Sequence, residues 1–259
     1  MKKLLLSFVT LFLFVFTSHS QMIMVVSEIE TTDVSAYEDI LNRWMSSLKK
    51  VTETESAQMR VHQVDGSREL IATRFYGSLQ EMADTRKNEK EKEEQIAEEF
   101  RSMPGQLEGS WDQFLSSTDF KNSSVWEFVS EGSTLPRSWE SMTQEERDQL
   151  LYRRVQYFSV DLMQGDAFEA WWKKASEADA KLGINYHVAM FKSVFGGNDA
   201  DYMIILIDKT RFDYYNHWED RMKTRMASEE FKTLMSGSDN SKWSVIKESN
   251  WIRLPKMTH

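Results

Sequence analysis

The feature that most restricts this chain is that one pattern occurs twice in the same order, which limits the fold to architectures built from two copies of one unit. In the C-terminal copy Arg153–Leu162 is strand-like, and Asp166–Leu182 places Phe168, Trp171, Trp172, Ala175, Ala178 and Leu182 on one helical face. Ile184–Phe195 reads as a long strand. Gly196-Gly197-Asn198-Asp199 is turn chemistry that folds it back onto Tyr202–Ile207, a run apolar at every position and so predicted to be covered on both faces. Helices over Arg211–Met226 and Ser228–Met235 and a strand over Trp243–Leu254 complete the copy.

The N-terminal copy repeats this order. Ile23–Glu30 is a strand, and Val34–Val51 a helix with Tyr37, Ile40, Leu41, Trp44, Met45, Leu48 and Val51 on its inner face. Gln58–Val64 and Glu69–Tyr76 flank Asp65-Gly66, where glycine accepts the positive φ of a hairpin turn. Leu79–Phe100 and Leu107–Leu115 read as helices and Val125–Val129 as the closing strand. Local wording recurs too: Ala36-Tyr37-Glu38 opens one first helix and Ala167-Phe168-Glu169 the other, and His62 and His187 both fall in second strands. Each copy is therefore β-α-β-β-α-β, the split βαβ of ferredoxin-like domains, and the fold class is α+β. The predicted units are 21–131 and 152–259. Residues 132–151, with Pro136 and the acidic run Gln144–Asp148, join them.

Ahead of the first copy, Met1-Lys2-Lys3, the apolar run Leu4–Phe16 and the small residues Ser18-His19-Ser20 have the three parts of a signal peptide, with Gln21 as the expected new N-terminus. The apolar run reaches only about 20 Å as a helix against a hydrocarbon core of about 30 Å, so export to the periplasm or medium is expected rather than anchoring. The chain has no cysteine, which excludes disulfides, a thiolate metal site, a cysteine nucleophile and a lipid-anchored N-terminus. It carries 41 acidic against 32 basic residues, and losing Lys2 and Lys3 makes the remainder more negative still. Such a surface repels nucleic acid and anionic lipid. No zinc or calcium spacing, nucleophile elbow, P-loop or dinucleotide fingerprint occurs, so no metal site is predicted.

Two such copies in one chain resemble the dimeric α/β-barrel superfamily in its fused, pseudo-dimeric form, over nearly the whole chain after the leader. The resemblance implies two sheets closed into a barrel with helices outside and a ligand cavity inside. It also implies a range of chemistries: oxygenases that need no cofactor, haem enzymes such as the chlorite dismutases, and proteins without known chemistry. In chlorite-dismutase-like proteins a helical histidine of the C-terminal unit holds the haem, which makes His217, in Tyr214-Tyr215-Asn216-His217-Trp218, the haem-binding candidate. No cofactor is otherwise predicted. Fused halves satisfy the pairing that single units obtain by dimerising, so a monomer is expected, with further homo-oligomers open.

Period-two alternation then names the residues that share the inner faces. Aligning the first strands pairs Val26, Glu28 and Glu30 with Tyr157, Ser159 and Asp161, and aligning the second strands pairs Arg60 and His62 with Asn185 and His187. The candidate ligand contacts are therefore His62, His187, Arg60, Glu28, Tyr157 and Asn185. Imidazole can serve there as base or ligand near neutral pH, although a wall histidine is more often only hydrogen-bonded. The charge-dense Arg86–Arg101 reads as a solvated helix face and Trp44, Trp171 and Trp172 as core. Three functions follow as expectations: a carrier of a small, partly apolar molecule, an enzyme of oxygenase or haem type, or a shell with a filled barrel.

Overall fold

The computed structural model describes residues 22–53, 58–103, 107–135, 142–196, 199–237 and 239–259. The expected leader, Pro136 and the Gly197-Asn198 part of the turn lie outside them. In chain order the elements are β1 (Ile23–Thr31), α1 (Val34–Thr52), β2 (Met59–Val64), β3 (Glu69–Tyr76), α2 (Leu79–Glu91), α3 (Glu93–Ser102), α4 (Leu107–Ser117) and β4 (Thr118–Phe128). They continue with α5 (Gln144–Gln149), β5 (Tyr152–Val160), α6 (Gly165–Lys181), β6 (His187–Phe195), β7 (Tyr202–Asp208), α7 (Arg211–Ala227), α8 (Glu229–Ser236) and β8 (Trp243–Arg253).

Local chemistry sets several of these boundaries. Asp33 caps α1 by accepting from the Ala36 amide at 2.9 Å, and Lys49 and Lys50 sit in its last turn, where they oppose the helix dipole. The acidic run of the connector forms α5 because Thr143 and Glu146 make a reciprocal capping box, which the sequence reading did not identify. Lys92 divides the expected helix 79–100 into α2 and α3. β4 begins seven residues before the expected Val125. Thr118–Ser124 has no apolar alternation, and its strand form comes from pairing with β1 from Thr31↔Thr118 onward.

The eight strands close into an antiparallel barrel in the order β1-β3-β2-β8-β5-β7-β6-β4. Each half contributes one four-stranded sheet of matching order, β4-β1-β3-β2 and β8-β5-β7-β6. The closing strand of each half also seals against the other half: β8 pairs with β2, setting His62 opposite Arg253 and Val64 opposite Trp251, and β4 pairs with β6, setting Phe128 opposite Phe191. Helices cover the outside. Tyr37, Ile40, Leu41 and Met45 of α1 pack on one sheet, and Phe168 of α6 packs with Tyr202, Val188 and Ile204 on the other. The barrel interior holds a third cluster, with Ile71, Trp126, Val155, Tyr157, Met203 and Trp251 at its centre.

Strand register fixes how the halves correspond, and it corrects the sequence alignment. Both closing strands carry Ser-x-Trp, with the indole donating to its own serine: Trp126 to Ser124 at 2.7 Å and Trp251 to Ser249 at 3.0 Å. Trp126 faces Met24 and Trp251 faces Arg153. A bulge follows Glu28 in one half and Tyr157 in the other. Arg153 therefore corresponds to Met24, and Tyr157 to Glu28, not to Val26. Carried through β3 and β7, the same register equates Arg60 with Ala189, His62 with Phe191 and Gln58 with His187. The two histidines are not equivalent. Matching them by residue type shifted the second strands by four positions.

Candidate functional site

Alternation sends Arg60 and His62 of β2 into the barrel, and both line a cavity of about 450 Å³ bounded by both halves. The remaining wall includes Met22, Met24, Thr73, Phe75, Phe128, Leu135, Arg153, Ala189, Phe191, Ile205, Ile207 and Trp251. That volume lies within the range of small-molecule sites. It counts against a barrel filled as a purely structural shell.

The polar side of this cavity is a cluster of cations. Arg153 is buried, and its Nη1 donates to the Leu150 and Tyr152 carbonyls at 2.9 Å each while its Nη2 is buried with no partner. Behind that wall Arg253, directly across from His62 but not itself lining the cavity, donates from Nη2 to the Asp148 carbonyl at 2.6 Å and approaches the Asp148 carboxylate at 3.4 Å, leaving Nε buried without a partner. The Arg60 guanidinium lies over the Phe75 ring at 5.3 Å. His62 packs on Trp251 with ring centroids 5.6 Å apart, and its Nδ1 is buried and unpartnered.

Electrostatics follow from this crowding. Burial, then Arg153, Arg60 and Arg253, hold the His62 pKa well below the usual imidazole value, so the ring is neutral at pH 7. Burial, then Arg60 and Arg253, push Arg153 down to about 9, which leaves it cationic at neutral pH. The acid set against the cluster is Asp148, whose side chain is 58% exposed and correspondingly screened. Desolvated guanidinium groups with unused N–H donors are costly unless an anion completes them, and their planar fork suits carboxylate or another oxyanion.

The other sequence candidates lie elsewhere. Glu28 and Tyr157 do turn inward, but Tyr157 is four residues along β5 from Arg153, about 13 Å away. Lys247 meets Glu28 at 3.4 Å and stands over the Tyr157 ring at 5.5 Å, forming a separate polar group that leaves both outside the cavity wall. Asn185 precedes β6 and is exposed, because the strand begins only at His187. His187 is half-buried at the start of β6. Its pKa is lowered by burial, raised by Asp208 and lowered by Arg153, and it is not among the cavity-lining residues. Arg153 was legible by alternation from Tyr157 back through Val155, but the alignment ran forward from Tyr157. Arg253, at the last position of the last strand, carried no local signal.

His217 sits on α7 outside the barrel, 61% exposed, with Nδ1 2.8 Å from Asp208 Oδ2. That ring lines no part of the cavity, and the space between α7 and the sheet is filled by buried Tyr214 and Arg221. The residues present do not fit a haem held by this histidine. Among the described residues, no group of three or more His, Asp or Glu is placed to hold a metal ion, and no helix is long and apolar enough to cross a membrane.

No protein-family model matches the chain, and no curated protein matches it. Solved structures do. An anthrone oxidase-like protein superposes with a TM-score of 0.55 at 10% identity, over 92% of this chain and 93% of that one. A candidate monooxygenase from Lactobacillus acidophilus gives 0.52 at 11% identity, over 90% and 94%. A candidate chlorite dismutase, TA0507, gives 0.50 at 10% identity, over 92% and 96%. At such identities the likeness establishes architecture: the chain has the dimeric α/β-barrel fold, with both units in one polypeptide.

Proposed function

We propose that this chain binds a small organic anion with an apolar body inside its barrel, and that it does so as an exported protein. The observation that carries the reading is Arg60 and Arg153 beside neutral His62 on one wall of a mostly apolar cavity, with Arg253 behind them and with Arg153 Nη2 and His62 Nδ1 buried and unpartnered. Charge-assisted hydrogen bonds from the arginines hold the head group, and Met24, Phe75, Phe128 and Ile205 cover the remainder. The test is titration of the purified protein with 2-naphthoate, followed by tryptophan fluorescence, since Trp251 lines the cavity. Saturable quenching whose midpoint moves to about 30-fold higher concentration in Arg153→Met supports the reading, and identical titrations of both proteins overturn it. Export is tested separately by the mass of the protein recovered from the cell envelope or medium, which is expected to begin at Gln21.

His62 favours a second reading, an enzyme of the oxygenase kind that the fold accommodates. A neutral imidazole against a bound weak acid can accept its proton, and the neighbouring guanidiniums stabilise the anion left behind. Oxygen uptake on adding an enolisable aromatic substrate, lost in His62→Gln, moves the assignment from carrier to enzyme. No uptake leaves it as carrier.

A further inference from the structure

The two walls of the cavity are the same positions of the duplicated unit, and they have diverged in opposite directions. Arg60, His62, Arg153 and Arg253 correspond by register to Ala189, Phe191, Met24 and Phe128. All four counterparts line the cavity. Phe128 and Phe191 pack edge to face at 5.5 Å, closing the seam between β4 and β6 with aromatic carbon where the opposite seam presents guanidinium. On the charged wall His62 Nδ1 and Arg153 Nη2 are buried and unpartnered, and Arg253 Nε, just behind it, is too.

We infer that the cavity selects monoanions that carry their charge at one end of a flat apolar body, and that Met24, Phe128, Ala189 and Phe191 are the residues that impose this selectivity. The inference rests on the anion-binding reading above and adds an orientation to it. A carboxylate at the arginine end finds donors. A second carboxylate at the far end loses water against Phe128 and Phe191, whose side chains offer no hydrogen-bond donor, so the apolar wall rejects dianions by leaving a desolvated charge unpaired. The flat shape follows from the aromatic surfaces of Phe75, Phe128, Phe191 and Trp251, which offer ring faces and edges for stacking.

The experiment compares 2-naphthoate with 2,6-naphthalenedicarboxylate on the full chain by calorimetry. The wild-type protein is expected to prefer the monoanion by about tenfold or more. Ala189→Arg, which restores on the apolar wall the counterpart of Arg60, is expected to shrink that preference by about tenfold or invert it. Phe128→Arg, at the half-buried end of β4, is a second variant should the first not fold, with folding checked by circular dichroism. Equal binding of both ligands by the wild type overturns the inference while leaving the anion site standing, and so does a folded pair of variants with unchanged preference. Failure of the wild type to bind either ligand removes the anion site itself, and this inference with it.

Discussion

At the seam where β8 meets β2 the barrel interior is cationic, and at the seam where β4 meets β6 it is aromatic, although both are closed by the same Ser-x-Trp device. The halves are alike in that each places a fully buried tryptophan at the barrel centre, Trp126 in one and Trp251, which also lines the cavity, in the other. At the level of the cavity they differ at every charged position. The contrast teaches that the scaffold and the site obey separate demands. The two indoles must pack at the barrel centre and so remain paired, whereas the neighbouring positions that face the ligand space are free to specialise.

That comparison can be broken most forcefully at the paired layer. Trp126→Ala and Trp251→Ala should each cost about 3–5 kcal/mol in urea unfolding, because both remove a buried indole from the same kind of site. A large loss for one and a small loss for the other would show that the tryptophans are not equivalent.

Arg153→Met tests the divergent layer, since it installs the residue found at the corresponding position, Met24. Losing a charge-assisted bond is expected to weaken naphthoate binding about 30-fold, near 2 kcal/mol. The ligand-free protein should gain about 1 kcal/mol in the same urea assay, since a buried cation gives way to an apolar side chain. A stability loss there would mean that Arg153 is held for structure.

The pH response sharpens the comparison further. The native His62 pKa is depressed, so between the usual imidazole value of about 6.5 and that lower value the unfolded chain holds a proton that the native state does not. Stability is therefore complete above pH 6.5 or so, and falls as pH is lowered through this window with a slope approaching 1.4 kcal/mol per pH unit, roughly one proton's worth. His62→Gln should flatten most of that slope. His187, less perturbed, supplies the remainder. The smallest effect is expected at the other polar group: Glu28→Gln breaks a pair in which Lys247 is 49% exposed, and should change stability by about 0–1 kcal/mol without affecting naphthoate binding.

Alternation within one strand was enough to bring Arg60 and His62 to an inner face, because that signal is local and two residues long. The same rule reached Tyr157 and Glu28 but could not tell that a bulge follows each, or that Lys247 would draw both into a group of their own. His187 was matched to His62 by chemistry, when the hairpins differ in strand length and the register runs to Phe191 instead.

The sequence by itself determined the duplication, the order of elements and which faces of the strands turn inward, since helix and strand periodicities repeat over a few residues and need no partner. Only the tertiary structure decided that Arg153 and Arg253 join Arg60 and His62, and that their counterparts are apolar. Those juxtapositions arise where β2 meets β8 and β8 meets β5. There, residues far apart in the chain are aligned by barrel closure, a global constraint that leaves no mark on any short stretch of sequence.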